Sequence, residues 1–171
     1  MKRILSLLLS LTMLLALCAG CGQDLGVIGG ADGPTAVIVG ETVPSDADLP
    51  VYGEYYYDLE NVVLYLALYG ELPDNYITKD EARDLGWQGG SVEDYLEGAA
   101  IGGDRFGNRE GLLPEAPGRH YTECDIDTDG YGSRGARRLI FSDDGLYFYT
   151  RDHYESFTEV TVSDDWEVIW Q

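Results

Sequence analysis

Apolar residues in the middle of the chain recur at helical spacing. They follow an i, i+3, i+4, i+7 pattern at Leu59, Val62, Val63 and Leu66. This pattern predicts a helix with one apolar face. Asp58 precedes it as a suitable N-cap, and Gly70 follows it as a residue suited to a left-handed C-terminus.

A second, shorter helix is indicated by a capping box. Thr78 is the expected N-cap and Glu81 the residue that returns its side chain to the cap, and Gly86 ends the segment. Lys79 therefore falls in the first turn, where the helix dipole disfavours a positive charge. Such a local cost indicates a functional position.

The pattern then changes from helical to extended. Ser91 is predicted to begin a third short helix that Gly98 ends. Beyond Gly103 the apolar period approaches two, which predicts strands over residues 121–126, 138–142, 146–150 and 157–162, with turns at Asp129-Gly130 and Asp144-Gly145. Residues 166–170 alternate and predict an edge strand. Short helices followed by strands predict an α+β fold with an antiparallel sheet.

The N-terminus has the pattern of an export signal. Lys2 and Arg3 precede an apolar run over residues 4–17, which is shorter than the ~20 residues of a membrane-spanning helix. The sequence Leu17-Cys18-Ala19-Gly20-Cys21 resembles the lipobox of bacterial lipoproteins, which implies lipidation of Cys21 and anchoring to the outer face of the membrane. Ordinary secretory cleavage, with Cys21 a plain thiol, is the alternative. Both predict an extracellular protein.

Four segments follow from these patterns. Residues 1–20 are predicted to be the signal peptide, 21–56 a flexible linker, 57–160 the folded domain, and 161–171 a C-terminal extension. The linker is rich in Gly and Pro and holds six acidic residues and no basic one. Once Cys18 leaves and Cys21 is acylated, Cys124 stands alone, which excludes an intramolecular disulfide or a zinc site of four cysteines. We expect Cys124 to be a small core residue.

Charge narrows the possible partners. With 31 Asp and Glu against 11 Lys and Arg, the formal charge is −20, which argues against sequence-independent coating of nucleic acid. Basic residues nevertheless cluster beside Glu123 and His153 in the predicted strand region, at Arg134, Arg137, Arg138 and Arg151. A local cationic cleft in an acidic body can still bind one phosphate group.

Three ungapped motifs occur in one order along the chain. They are Leu72-Pro73-Asp74-Asn75-Tyr76-Ile77-Thr78-Lys79, then Ile101-Gly102-Gly103-Asp104-Arg105-Phe106-Gly107-Asn108-Arg109-Glu110-Gly111, then Asp152-His153-Tyr154. Together they resemble the barnase-like, guanyl-preferring secreted ribonucleases over residues 57–160. The resemblance implies an α+β endoribonuclease that cleaves single-stranded RNA 3′ of guanosine. It implies transphosphorylation to a 2′,3′-cyclic phosphate, then hydrolysis, with no metal or cofactor.

The resemblance also implies the roles of individual residues. Glu123 matches the general base and His153 the general acid. The cations that stabilise the transition state match Lys79, Arg134 and Arg138, with Asp125 orienting the arginines. The loop before Arg134 is one residue longer than the family spacing, so Arg137 is an alternative to Arg134.

Base recognition is implied for the second motif. Phe106, Gly107, Asn108 and Arg109 match residues whose backbone N–H groups meet the guanine O6 edge, and Glu110 matches the acceptor for N1–H and the exocyclic amine. Tyr154 matches a residue that stacks on the base. Gly107 replaces a serine that is usual in the family, which predicts a slightly weaker guanine preference.

Partners and alternatives complete the expectations. RNA is the implied substrate, a small acidic barstar-like protein is a candidate inhibitor, and we expect a monomer. The alternative function is a catalytically silent lipoprotein module that binds RNA or an inhibitor. Residues 125–130 imitate the start of an EF-hand loop, but Ala136 stands where its final glutamate is needed, so we predict an acidic turn and no metal site.

Overall fold

A computed structural model describes residues 49–128 and 132–171. Its elements are α1 (Leu59–Tyr69), β1 (Tyr76–Ile77), α2 (Lys79–Asp84), β2 (Ala100–Phe106), β3 (Tyr121–Asp125), β4 (Arg138–Ser142), β5 (Tyr147–Thr150), β6 (Thr158–Val162) and β7 (Val168–Trp170). The predicted signal peptide, most of the linker, Cys21 and the predicted turn at Asp129-Gly130 lie outside the described residues.

The caps predicted for the first two helices are confirmed. The Asp58 side chain accepts a hydrogen bond from the Asn61 backbone N–H, and Gly70 ends α1 in the left-handed conformation at φ 75°. Thr78 and Glu81 form the reciprocal capping box of α2. Both helices therefore begin where a side chain can satisfy backbone N–H groups that have no partner within the helix.

The predicted third helix is wrong. Residues after Ser91 form turns, with Tyr95 N and Leu96 N both donating to the Val92 carbonyl at 2.9 and 3.1 Å. Val92 is buried, but Tyr95 and Leu96 are each 44% exposed, so the segment lacks an apolar face that tertiary packing could hold. A helix of this length is marginal without such packing.

The seven strands form one sheet in chain order from β1 to β7. All neighbouring pairs are antiparallel except β1 with β2, which is parallel. The predicted α+β class is confirmed. The short strand β1 and the glycine-containing strand β2 were not predicted, whereas the C-terminal residues do form an edge strand, β7.

Strand register separates the two faces of the sheet. Cys124, Leu139 and Val160 pack with the apolar side of α1 in a buried cluster. The alternating residues of β3 and β4 lie on the other face, where Glu123 is opposite Ile140 and Asp125 is opposite Arg138. The helix therefore supports the sheet from behind, and the polar residues of β3 face the candidate site.

Cys124 lies in this core as expected. It is 1% exposed, and burial raises the pKa of its thiol well above the ordinary value, so the sulfur stays protonated. Gly102 crosses directly beside it. A Cβ added to Gly102 would lie 2.7 Å from Cys124 Cβ and 2.6 Å from Tyr76 Cδ1. Only glycine allows β2 to approach this closely.

Residues just before α1 pack against the helix. Tyr69 donates a hydrogen bond from its hydroxyl to the Pro50 carbonyl at 2.9 Å, and Gly53 N donates to the Tyr65 hydroxyl at 3.1 Å. The ring of Tyr56 packs on the core behind the sheet. Within the described ranges, no helix has the length and apolar character needed to cross a bilayer.

Candidate active site

Glu123 is the central carboxylate of the site. It lies on β3, is 7% exposed, and both of its oxygens have donors. Lys79 Nζ forms an ion pair with Oε1, and the Tyr154 hydroxyl donates to Oε2 at 2.7 Å. Burial is the main cause, and the hydrogen bond to Glu123 the second cause, of a raised pKa for Tyr154. The phenol therefore keeps its proton and remains a donor.

Lys79 reaches Glu123 because α2 begins beside the sheet. The Lys79 backbone N–H donates to Asp104 Oδ2 at 2.9 Å, which fastens the first turn of α2 to β2. The side chain then points to β3. The nearby carboxylates of Asp104 and Glu123 offset the unfavourable position of this cation at a helix N-terminus.

The Arg134 side chain is held by two partners. Its Nε and Nη2 donate to the two oxygens of Asp125 at 2.6 and 2.8 Å, a fork that only a guanidinium can form. Its Cζ lies 5.5 Å from the centroid of the Trp87 ring. Burial, as the main cause, raises the pKa of the Asp125 carboxyl above its ordinary value, and the hydrogen bond from Arg134 opposes that shift.

Arg138 lies beneath this pair. It is 3% exposed, its Nε lies 2.8 Å from Asp125 Oδ1, and it does not line the cleft. Its terminal nitrogens donate to the backbone carbonyls of Arg134 (3.3 Å), Gly135 (3.1 Å) and Arg137 (2.6 Å). In this geometry Arg138 fixes the arginine loop. The resemblance implies that it also stabilises charge on the transition state, and that role stays a prediction.

Arg137 points elsewhere. It pairs with Asp127, its side chain is 55% exposed, and it lines a different surface depression. Of the two arginines that the sequence offered for the first phosphate-binding position, Arg134 is the one in the cleft.

His153 and Tyr154 enter the cleft from an unusual backbone. Both have positive φ, 59° and 76°, which costs free energy for residues other than glycine. Thr150 Oγ1 accepts from Tyr154 N at 3.0 Å and donates to Asp152 Oδ1 at 2.8 Å, and Asp152 also accepts from Ser156. His153 N donates to the Ala136 carbonyl at 3.2 Å, which ties this turn to the arginine loop.

The segment predicted to recognise the base lies across the cleft. Asn108 has φ 42°, which asparagine tolerates, and its side-chain amide closes the loop by bonding both N and O of Leu113. Phe106 packs against Tyr154 with ring centroids 5.5 Å apart. The Asn108 side chain is thus occupied within the loop, and its neighbours line the cleft.

These groups enclose a cavity of 560 Å³. All predicted catalytic and base-binding residues line it except Arg138; Asp125 lies below Arg134. Arg105 also lines it and was missed, because only the strand β2 places its side chain there. Trp87 was likewise missed as a support for Arg134. A carboxylate, an imidazole and two cations around one opening suit acid–base chemistry on an anionic substrate.

No group of three potential metal-binding His, Cys, Asp or Glu residues occurs among residues 49–128 and 132–171. The carboxylates of Asp125 and Asp127, which begin the EF-hand-like sequence, are both paired with arginines.

Comparisons with known proteins show which proteins this chain is similar to. A family model described as ribonuclease matches residues 64–161. The chain is 48% identical over 103 residues to a ribonuclease of Bacillus intermedius, covering 59% of this chain and 63% of the relative. It is 47% identical to a ribonuclease of Heyndrickxia coagulans, covering 94% of that relative. Guanyl-specific ribonuclease St of Saccharopolyspora erythraea is 51% identical over 61 residues, 36% of this chain and 60% of that protein.

Proposed function

The chain belongs to the ribonuclease family, and we propose that it is an endoribonuclease that cleaves single-stranded RNA on the 3′ side of guanosine. The observation that carries the proposal is the buried Glu123 carboxylate, held by Lys79 and Tyr154 in the same cleft as Arg134 and His153. Residues 57–160 form the catalytic domain in this proposal.

The reaction begins at the ribose 2′-hydroxyl. Glu123 takes the hydroxyl proton while O2′ attacks phosphorus, and the bond from phosphorus to O5′ breaks as His153 gives its proton to O5′. The product is a 2′,3′-cyclic phosphate. In the second step neutral His153 takes a proton from water, the water oxygen attacks phosphorus, and the bond from phosphorus to O2′ breaks as protonated Glu123 returns its proton to O2′. DNA lacks the attacking hydroxyl, so this reaction cannot cleave it.

Two cations stabilise the developing charge on the phosphate oxygens. Arg134 is already fixed by its fork on Asp125, and Lys79 by its ion pair with Glu123. Cations held in place before the reaction contribute most, because no reorganisation is needed in the transition state. Arg138 acts one layer below, by holding the carbonyls around Arg134.

Guanine selection is assigned to the segment from Phe106 to Glu110. Backbone N–H groups meet the O6 edge, the Glu110 carboxylate accepts from N1–H and the exocyclic amine, and Tyr154 stacks on the base. Two relatives are named guanyl-specific ribonucleases, which supports this preference. We also propose export and lipid anchoring through Cys21, and a small acidic inhibitor protein as a partner.

A dinucleotide assay tests the proposal. The purified chain is given GpN, ApN, CpN and UpN, and we expect the highest kcat/KM for GpN with a 2′,3′-cyclic product. Glu123→Gln should lower kcat by about 10²- to 10⁴-fold, the range for loss of a general base. Glu167→Gln, the same change on the exposed C-terminal segment, should leave it unaltered. Binding of GpN without turnover would instead support the catalytically silent module.

A further inference from the structure

A second cavity shares a wall with the cleft. It has a volume of 180 Å³, and Arg105, Phe106, Gly107 and Asn108 line both spaces. Since one water needs only ~15 Å³ of such volume, the second cavity can hold a phosphate group. Its side chains Arg105, Glu115 and His120 have no role in the reaction described above.

Arg105 is the cation common to both cavities. It is exposed, and no carboxylate of residues 49–128 and 132–171 lies within ion-pair distance of it. The donors of Arg119, by contrast, are already paired. Its Nε and Nη2 donate to Asp144, and its Nη1 donates to the Pro114 carbonyl. In a chain where acids outnumber bases by 31 to 11, a cation left without a carboxylate beside the cleft is available to an external anion.

His120 places a second donor beside Arg105. Arg105 Nη2 lies 3.0 Å from His120 Nδ1. The position of His120 is fixed by Asp143, whose carboxylate accepts from His120 N at 3.0 Å and whose N–H donates to His120 O at 3.1 Å. Arg105 has further N–H groups, and His120 has Nε2, so the pair can meet one anion together.

Glu115 also lines this cavity. Its carboxylate opposes a free anion there, which makes the site weak for inorganic phosphate alone. A phosphate that is already tethered by a base bound in the neighbouring cleft avoids most of the entropy cost of binding. The geometry therefore favours a phosphate of the same RNA chain over an independent ion.

We propose that Arg105 and His120 form an additional phosphate-binding subsite for the RNA chain, separated from the reacting phosphate by the shared wall of residues 105–108. The inference rests on the proposed ribonuclease function. It assigns the subsite to a phosphate flanking the cleaved nucleotide, on its 5′ or its 3′ side.

Three substrates separate these sources: GpN, pGpN with one added 5′ phosphate, and GpNp with one added 3′ phosphate. We expect one of the two added phosphates to raise kcat/KM about three- to fivefold, the upper range of one exposed ion pair. Arg105→Gln should remove that gain, measured as the ratio of kcat/KM with the added phosphate to kcat/KM for GpN in the same variant. For the substrate with the added phosphate, log kcat/KM falls as log salt rises. Arg105→Gln should make this negative slope shallower by ~0.7, because one single-strand phosphate contact is lost. His120→Gln should remove part of the gain.

Arg83→Gln is the matched control, because it removes the same charge from an exposed arginine that lines neither cavity. An equal gain in the wild type and Arg105→Gln, or no gain from either phosphate, overturns the subsite. If no substrate is cleaved, the proposed function fails, and the subsite is judged by binding of the 2′-deoxy compounds. Wild-type binding must then favour one added phosphate, and Arg105→Gln must abolish that preference.

Discussion

Replacing Asp125 by Asn tests the electrostatic centre of the fold. Asp125 is 1% exposed and is the carboxylate partner of both Arg134 and Arg138. Asn keeps the shape and one accepting oxygen, so the substitution removes mainly the negative charge. Arg138, itself 3% exposed, then becomes a buried cation without a counter-charge.

The expected cost follows from that burial. Removing one partner of a buried ion pair typically costs ~3–5 kcal/mol of unfolding free energy, because the other charge stays desolvated. With a urea dependence of ~2 kcal/mol per molar, the midpoint should fall by about 1.5–2.5 M. Activity should fall as well, since Arg134 loses its fork.

Urea unfolding followed by circular dichroism measures the shift. Asp127→Asn is the control, because its partner Arg137 has a 55% exposed side chain and such pairs contribute ~0–1 kcal/mol. If the two variants lose the same small amount of stability, the Asp125 cluster is not the buried electrostatic support described above.

Three further substitutions test the cleft. Asp152 has a pKa lowered to about 2 from 3.8, chiefly by hydrogen bonds from Ser156, so its stabilising effect is complete above pH ~4 and lost towards pH 2. The difference in urea midpoint between wild type and Asp152→Asn should therefore vanish over that window, and a constant difference would contradict the assignment. Arg134→Lys keeps the charge but loses both the fork and the contact with Trp87, so steady-state kinetics should show kcat about 10- to 100-fold lower; unchanged kcat would refute its role. Gly107→Ser meets only ordinary contacts with Arg109, the nearest at 3.5 Å, and should raise the GpN-to-ApN ratio of kcat/KM about two- to fivefold by restricting the unbound loop; a lower ratio would count against it.

Local sequence signals predicted the helix caps and one turn correctly. The caps at Asp58 and Thr78 and the turn before Leu146 depend on neighbouring residues, and the structure has each where the sequence indicated it. The prediction of a third helix failed because so short a helix needs tertiary packing, and two of its three large apolar side chains are exposed. Strand β2 was not predicted because Gly102 and Gly103 lower the strand propensity of its sequence. The structure requires glycine at position 102 because Cys124 and Tyr76 lie too close for a side chain, and this contact is not visible in the sequence.

The candidate site divides in the same way. Motif resemblance named Glu123, Lys79, Arg134 and His153, and the structure brings all four to one cleft. The resemblance could not show that Arg134 faces the cleft and that Arg138 is buried beneath it, because residue spacing carries no information on burial. Arg138 and Arg134 are four residues apart, but they lie on two different levels of one cluster around Asp125.

The carbonyl contacts of Arg138 bear on how this hairpin tolerates change in length. Arg138, the first residue of β4, bonds the carbonyls of Arg134, Gly135 and Arg137. The position of Arg134 is therefore fixed relative to the start of β4. Residues inserted farther upstream, between β3 and Arg134, leave that position unchanged, and extra loop length costs little in closure entropy. The hairpin is consequently a natural place to graft a peptide or an affinity tag while the phosphate-facing arginine keeps its position.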